Sequence, residues 1–108
     1  MKKGEIWLVN LPEGVGHEQK GTRPVLISAC ANGLTLAIPL TTNAETADLA
    51  YTDKIAPTKD NGLTESSVAL VFQMRALDDS RFIRQLGWIP KEQRDVVDGL
   101  LKTLLKID

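Results

Sequence analysis

Apolar residues in the first half of the chain fall into short runs separated by glycine, proline and asparagine. The first run spans residues 5–10 and is followed by Leu11-Pro12. Two further runs, residues 24–30 and 34–40, lie on either side of Asn32-Gly33. Short runs rich in Ile, Leu and Val are typical of strands, and Asn-Gly between two of them is a strong hairpin signal. Pro39 has no N–H to donate, so we expect it at the edge or end of a strand.

The second half of the chain carries weaker strand signals. Residues 41–48 predict a loop, residues 49–57 another strand, and residues 59–62 a turn. Residues 67–77 predict the longest strand of the chain, followed by a short helical turn over 78–84 and a brief strand over 86–89.

The C-terminal residues predict an amphipathic helix. Pro90 suits the first helical position, and Glu92 complements the positive end of the helix dipole. Apolar residues repeat there at the spacing of one helical face, namely Val96, Val97, Leu100, Leu101, Leu104 and Leu105. Gly99 costs this helix about 1 kcal/mol relative to alanine, and we expect close packing to explain it.

These elements predict a mainly β, α+β fold, with a small and strongly curved antiparallel sheet closed by one helix. The length of 108 residues fits a single domain over residues 1–108. No apolar run approaches the roughly 18 residues that a membrane span needs, and no signal-peptide core is present, so we expect a cytoplasmic protein without a membrane partner. The single cysteine, Cys30, lies in an apolar run, which predicts a small buried side chain. Trp7 and Trp88 are expected to pack.

The overall charge does not indicate nucleic-acid binding. Thirteen basic and 14 acidic residues give a net charge of −1, whereas nucleic-acid-binding domains are usually basic. Any RNA site must therefore come from local clustering of basic residues, for which Lys20, Arg23, Arg75, Arg81 and Arg84 are available.

A glycine-bounded segment between the first two predicted strands concentrates polar chemistry. Its members are His17, Glu18, Gln19, Lys20 and Arg23. We expect residues 13–22 to form a long loop that leads into the strand at 24–30. Pro24 biases Arg23 towards an extended conformation and so limits where its side chain points. Polar groups on a loop anchored by a strand are a common form of functional site.

Four blocks of the chain resemble the MazF/PemK (Kid-like) toxins of type II toxin–antitoxin systems. They are residues 4–9, the Gly-x-Glu-Gln-x-x-x-Arg-Pro block at 16–24, and residues 38–42 and 73–78. The resemblance covers nearly the whole chain. It implies an SH3-like antiparallel β-barrel, a homodimer, and a cognate antitoxin protein whose extended segment blocks the active groove. It also implies an endoribonuclease that cleaves single-stranded RNA, such as mRNA, with no metal and no cofactor.

Such cleavage requires the ribose 2′-hydroxyl to attack phosphorus, leaving 2′,3′-cyclic phosphate and 5′-hydroxyl ends. Fixed donors must stabilise the charge that gathers on the phosphoryl oxygens. By resemblance Arg23 is the catalytic arginine, and its planar, permanently charged fork suits two oxygens at once. Thr41 matches the threonine of the family's Pro-x-Thr block and is expected to donate its hydroxyl to the phosphate. The alternatives are a positioning salt bridge for Arg23 and a turn-forming role for Thr41.

His17 and Glu18 are the candidate acid–base residues. His17 is the only histidine, and its unperturbed pKa lies near neutrality. Glu18 either accepts a proton or orients Arg23, and the alternative for both residues is an exposed loop position without a role. The expected RNA-binding residues are Gln19, Lys20, Thr42, Gln73 and Arg75. For Gln73 and Arg75 the alternative role is to fix the dimer. The chain contains no HExxH or CxxC motif, which favours a metal-free route.

The chain departs from the PemK branch at Leu70 and Phe72, where the resemblance implies a catalytic Arg and Asp. Neither side chain donates, accepts or titrates. Phe72 is expected either to stack on a base or to join the core. Two other functions stay open: a gyrase-poisoning toxin like the CcdB family, although the chain lacks that family's tryptophan near the C-terminus, and an inactive member that acts only through protein interactions.

Overall fold

The structure is a computed structural model that describes residues 1–12 and 21–107. His17, Glu18, Gln19 and Lys20 lie outside these residues. Within them the chain forms strands and one helix, with short 3-10 turns between some of them. The elements are β1 (Glu5–Leu11), β2 (Gly21–Ala31), β3 (Leu34–Thr41), β4 (Thr52–Ile55), β5 (Ser67–Leu70), β6 (Arg75–Asp78), β7 (Phe82–Trp88) and α1 (Lys91–Leu105).

The strands form one antiparallel sheet in the order β4-β5-β3-β2-β1-β7, with β6 also paired to β3. The predicted architecture, mainly antiparallel β with a C-terminal helix, is confirmed. In the described residues no strand pairing joins β4 to β7, so the expected barrel is not closed by hydrogen bonds between these ends. No helix in residues 1–12 and 21–107 has the length and apolar character to cross a membrane.

The predicted hairpin between β2 and β3 is confirmed. Asn32 and Gly33 form its turn with φ of 55° and 80°, and two successive positive values are what the favoured hairpin turn requires. The β2–β3 ladder runs from the pair Ala31–Leu34 to the pair Val25–Pro39. Between Ile27 and Ala29 its register shifts, so Ser28 is an extra residue that forms a β-bulge.

Pro39 lies inside β3, opposite Val25, whereas we predicted it at the edge or end of a strand. The other edge of β3 pairs with β6 up to Ala37 and with β5 from Leu40 onward. Pro39 falls in the gap between these two partners. A residue without an N–H is tolerated there because no ladder bond to β5 or β6 is lost on that edge.

The prediction of one long strand over residues 67–77 is wrong. The chain instead forms β5, a 3-10 turn over Val71–Gln73, and then β6. The reason is long-range pairing: β5 pairs with the end of β3 at Leu40 and Thr41, whereas β6 pairs with its beginning, from Leu34 to Ala37. The turn carries the chain from one pairing to the other.

The other weak predictions are partly corrected. The turn over 59–62 is present, and the strand predicted over 49–57 is the shorter β4. The loop over 41–48 contains a 3-10 turn at Ala44–Asp48, which the side chain of Asn43 caps. The helical turn predicted over 78–84 is limited to Asp79–Arg81, and β7 begins earlier than residue 86. The polar residues of β7 give no strand signal in the sequence, and β7 forms as an edge strand because its backbone pairs with β1.

The predicted C-terminal helix is confirmed, with Pro90 as its N-terminal cap. It covers the main core through Val97 and Leu101. The strand residues buried beneath it include Ile6, Leu26, Ile38, Leu40, Ile55 and Ala69. The expectation of close packing at Gly99 is wrong, because a Cβ there would meet no atom of the described residues within 4 Å.

Two burial predictions are also wrong. Cys30 is exposed, since it lies at the outer end of β2 beside the hairpin turn. Trp88 is 51% exposed at the end of the edge strand β7. Trp7 does pack: its ring meets Phe82 edge-on at 6.1 Å between centroids, and its indole N–H donates to Glu5.

Candidate active site

Arg23, the predicted catalytic arginine, is the third residue of β2 and is exposed. Its backbone is fixed by pairing with β1, where it lies opposite Val9. Pro24 pairs next to it, opposite Leu8, in agreement with the extended conformation expected before a proline. The sheet therefore holds the backbone of Arg23 rigidly and leaves its guanidinium at the surface.

Thr41 is the last residue of β3, and only 7% of it is exposed. Its Oγ1 accepts a hydrogen bond of 3.2 Å from the backbone N–H of Asn43. Thr41 therefore forms the turn after β3, which was the alternative role for it. A hydroxyl that accepts one hydrogen bond still carries its own O–H, so this contact is compatible with donation to a phosphate.

The register of β2 and β3 relates these two residues. Val25 lies opposite Pro39, and continuing the same register by two residues sets Arg23 across from Thr41. The fold thus brings the two principal predicted residues to the same end of one ladder.

An open groove adjoins this end of the ladder, with a volume of about 620 Å³. Gln73, one of the predicted RNA-binding residues, lines it together with Asn43, which is hydrogen-bonded to Thr41. Thr42, another predicted contact, is exposed between Thr41 and Asn43. Phe72, Leu70 and Tyr51 supply most of the apolar wall.

Arg75 lies apart from this site. It is the first residue of β6 and sits opposite Ala37 in β3. Ala37 is separated from Thr41 by about 13 Å along the strand, at roughly 3.3 Å per residue. The break of the predicted long strand explains the separation, because the 3-10 turn carries Arg75 towards the other end of β3.

Sequence reasoning missed Tyr51 as a site residue. It was assigned to the strand predicted over 49–57, and a tyrosine beside apolar residues carries no local signal of a groove. In the structure Tyr51 precedes β4 with a positive φ of 59°, a conformation uncommon for a residue other than glycine.

One carboxyl next to the groove is perturbed. Burial raises the pKa of Asp53, and hydrogen bonds from Gln93 and Lys54 oppose this only in part. Its Oδ2 is buried and has no hydrogen-bond partner among the described residues. Because its contact with Gln93 joins β4 to helix α1, Asp53 belongs to the packing of the helix and not to the groove.

His17, Glu18, Gln19 and Lys20 are outside the described residues, so their roles stay predictions. Within residues 1–12 and 21–107, no group of three or more His, Cys, Asp or Glu side chains is placed to hold a metal ion.

Comparison with known proteins agrees with this geometry. A family model described as "PemK-like, MazF-like toxin of type II toxin-antitoxin system" matches residues 2–105. The chain belongs to this toxin family. Among relatives of this PemK-like toxin, Endoribonuclease PemK of Escherichia coli is 37% identical over 97% of the chain and 82% of the relative. Endoribonuclease EndoA of Bacillus subtilis (strain 168) is 29% identical over 99% of the chain and 96% of the relative.

Solved structures of the family share the fold. The crystal structure of MazF (Form-I) from Deinococcus radiodurans superposes with a TM-score of 0.81 and 31% identity, covering 98% of this chain and 96% of that one. The MazE-MazF (Form-II) structure from the same organism superposes with a TM-score of 0.75 and 28% identity, covering 100% of this chain and 97% of that one. Mycobacterium tuberculosis toxin MazF-mt6 superposes with a TM-score of 0.77, covering 96% of this chain and 98% of that one. At 20% identity this similarity shows the fold alone.

This PemK-like toxin differs from the expected PemK pattern at Leu70 and Phe72. Leu70 ends β5 and is 1% exposed, so it is part of the core at the floor of the groove. Phe72 lies in the following 3-10 turn and is 39% exposed. Of the two roles considered for Phe72, a position in the core is therefore wrong.

Proposed function

We propose that this toxin is a metal-independent, sequence-specific endoribonuclease that cleaves single-stranded RNA. The observation that carries the proposal is that an exposed Arg23 and Thr41 both lie just beyond the same end of the β2–β3 ladder, whose last pair is Val25–Pro39. The names of the two relatives, Endoribonuclease PemK and Endoribonuclease EndoA, give independent support.

In the proposed reaction the ribose 2′-oxygen attacks the adjacent phosphorus as its bond to the 5′-oxygen breaks. The Arg23 guanidinium neutralises the charge on the phosphoryl oxygens, and the Thr41 O–H donates to one of them. His17 and Glu18 are the candidates to remove the 2′ proton and to protonate the leaving 5′-oxygen. The products are a 2′,3′-cyclic phosphate and a 5′-hydroxyl end.

RNA contacts follow from the same geometry. Thr42 and Gln73 adjoin the proposed reaction centre, and Gln19 and Lys20 come shortly before Arg23 in the sequence. Arg75 lies farther along the sheet. In this proposal it contacts RNA only at a distance from the cleaved bond.

Two protein partners belong to the proposal. The first is a cognate antitoxin, by analogy with the MazE-MazF structure of Deinococcus radiodurans. The second is another copy of the chain. Leu34 and Leu36 are 46% and 37% exposed and share a mainly apolar surface depression with Ala29, Ala31 and Ala76. Exposed apolar patches of this kind typically mark protein interfaces.

The deciding experiment is incubation of the purified toxin with a long transcript in EDTA, followed by mapping of both ends at each cut. We expect cleavage at a recurring sequence, with cyclic phosphate and 5′-hydroxyl termini, and strongly reduced cleavage by the Arg23→Ala variant. Intact RNA across varied transcripts, or cleavage only after magnesium is added, would contradict the proposal. An Arg23→Ala variant as toxic in cells as the parent would instead favour an interaction-only protein.

A further inference from the structure

We propose that Tyr51 and Phe72 form a stacking site for one unpaired nucleobase of the RNA, beside the scissile phosphate. This inference rests on the proposed function and assigns specificity-determining residues to it. The two side chains come from separate segments, one before β4 and one between β5 and β6, and line the same groove.

The two rings make no aromatic contact with each other. Among the described residues the recorded aromatic ring contact is that of Trp7 with Phe82, so Tyr51 and Phe72 line the groove without packing on each other. Phe72 is substantially exposed although it is large and apolar. Every base has a flat π-face that stacks on an aromatic ring, which gives the exposed Phe72 ring and the half-buried Tyr51 ring a ligand.

The backbone at Tyr51 supports a dedicated role. Three residues other than glycine have a positive φ in the described chain: Asn32, Tyr51 and Lys106. Asn32 forms the hairpin turn and Lys106 caps the helix, so ordinary turn chemistry explains both. Tyr51 has no such explanation, and its bend is held by the Thr52 hydroxyl donating to Leu49 O at 2.9 Å. Such strain in a cleft is often retained because the side chain is needed there.

The uncharged lining of the groove favours an uncharged ligand. No charged side chain contributes to its described lining, so the groove itself is suited to an uncharged ring rather than to a phosphate or an acidic peptide. Asn43, Thr46 and Gln73 add polar groups at the rim, which can hydrogen-bond to a base edge. Its volume of about 620 Å³ falls within the range of roughly 300–1,000 Å³ that is usual for small-ligand sites.

The position of the groove selects the nucleotide. Asn43 lines the groove, and its N–H donates to the Thr41 hydroxyl. A base between Tyr51 and Phe72 therefore belongs to a nucleotide next to the phosphate at Arg23 and Thr41. Since the site recognises a base close to the cut, it contributes to the choice of cleavage sequence.

The test measures binding of an RNA that carries the mapped cleavage sequence, with a 2′-deoxy sugar at the attacked ribose so that it is not cut. Two variants remove the rings: Phe72→Leu, and Tyr51→Gly, which keeps the positive φ at no steric cost. Each is expected to bind about 5- to 100-fold more weakly than the parent. Phe72→Trp restores stacking and should bind like the parent. Trp88→Leu, which removes an exposed aromatic outside the groove, is the matched control.

A scan with abasic nucleotides separates stacking from a structural effect. At one position next to the cut, loss of the base should weaken binding to the parent at least as much as Phe72→Leu does, and should weaken binding to the Phe72→Leu variant by a smaller factor. Equal RNA binding by parent and both ring variants would overturn the inference while leaving the endoribonuclease proposal intact. Loss of antitoxin binding with unchanged RNA binding would also overturn it. A parent that never cleaves RNA is a failure of the proposed function instead.

Discussion

Arg23 combines a backbone fixed by strand pairing with an exposed guanidinium, so its replacement should affect chemistry more than folding. We expect Arg23→Ala to lower the single-turnover cleavage rate by about 10²–10³-fold, the usual effect of removing one preorganised donor to a developing oxyanion. Arg23→Lys should recover only part of this loss, because an ammonium lacks the planar fork. Thermal unfolding of both variants checks that the fold is kept. Full activity in Arg23→Lys would show that charge alone suffices.

Asp53 predicts a pH dependence of stability. Burial raises its pKa in the folded protein, so the folded state keeps this proton to a higher pH than the unfolded chain does. The contribution of Asp53 to the free energy of unfolding therefore falls as the pH rises from its pKa in the unfolded chain through its pKa in the folded protein. Above the folded-state pKa this contribution stays unfavourable. Asp53→Asn removes the charge and should raise the free energy of unfolding at pH 7.

Urea unfolding of Asp53→Asn and the parent at a series of pH values measures this effect. The stability gain should shrink as pH falls towards the usual aspartate range, where the parent is protonated in both states. Asp48→Asn, at an exposed position, is the matched control and should show no such trend. A variant less stable than the parent at pH 7 would mean that the Asp53 carboxylate makes a favourable interaction there.

Among the elements, helix α1 contains one residue, Gly99, that lowers its helix propensity without making a close packing contact among the described residues. A Cβ at Gly99 meets open space, so Gly99→Ala should stabilise the protein by about 1 kcal/mol and raise its melting temperature by about 4–8 °C. Gly87→Ala is the contrasting variant, because its Cβ would collide with the carbonyl oxygen of Asp60. Calorimetry compares the three proteins. Destabilisation by Gly99→Ala would indicate that a second molecule covers this part of the helix.

The elements predicted well are those whose signals are local. The hairpin follows from Asn32-Gly33, and helix α1 follows from its apolar repeat. The strand predicted over 67–77 failed because its two halves pair with different ends of β3, and no local pattern records a change of partner. The same limit applies to β7, whose place at the sheet edge depends on β1.

At the scale of the whole molecule, the net charge of −1 makes RNA binding depend on a few clustered cations. If RNA engages about four phosphates, log K should fall with log salt at a slope near −3, since each single-strand phosphate contributes roughly −0.7. Titration of the 2′-deoxy RNA at several salt concentrations measures the slope. A flat dependence would contradict a mode of binding centred on Arg23 and its neighbours.

Arg23 and Thr41 could be proposed as site residues from sequence because each lies in a block that resembles the family, and their roles stay predictions. The groove beside them could not. Tyr51 and Phe72 are distant in sequence, and they share a surface only because β4 and β5 pair with each other. Burial was the other weak point: an apolar run around Cys30 does not reveal which end of a strand extends past the core.

The bulge at Ser28 lies between the hairpin turn and the proposed reaction centre, and it sets the alignment of β2 with β3 there. From the turn outward, the pairs Ala31–Leu34 and Ala29–Leu36 fix one alignment, and beyond Ser28 the alignment is offset by one position. If the alignment on the turn side of Ser28 continued to the end of β3, Pro24 would lie across from Thr41. Arg23 would then point to the opposite side of the sheet. A single unpaired serine thus determines whether Arg23 or Pro24 is brought across from Thr41.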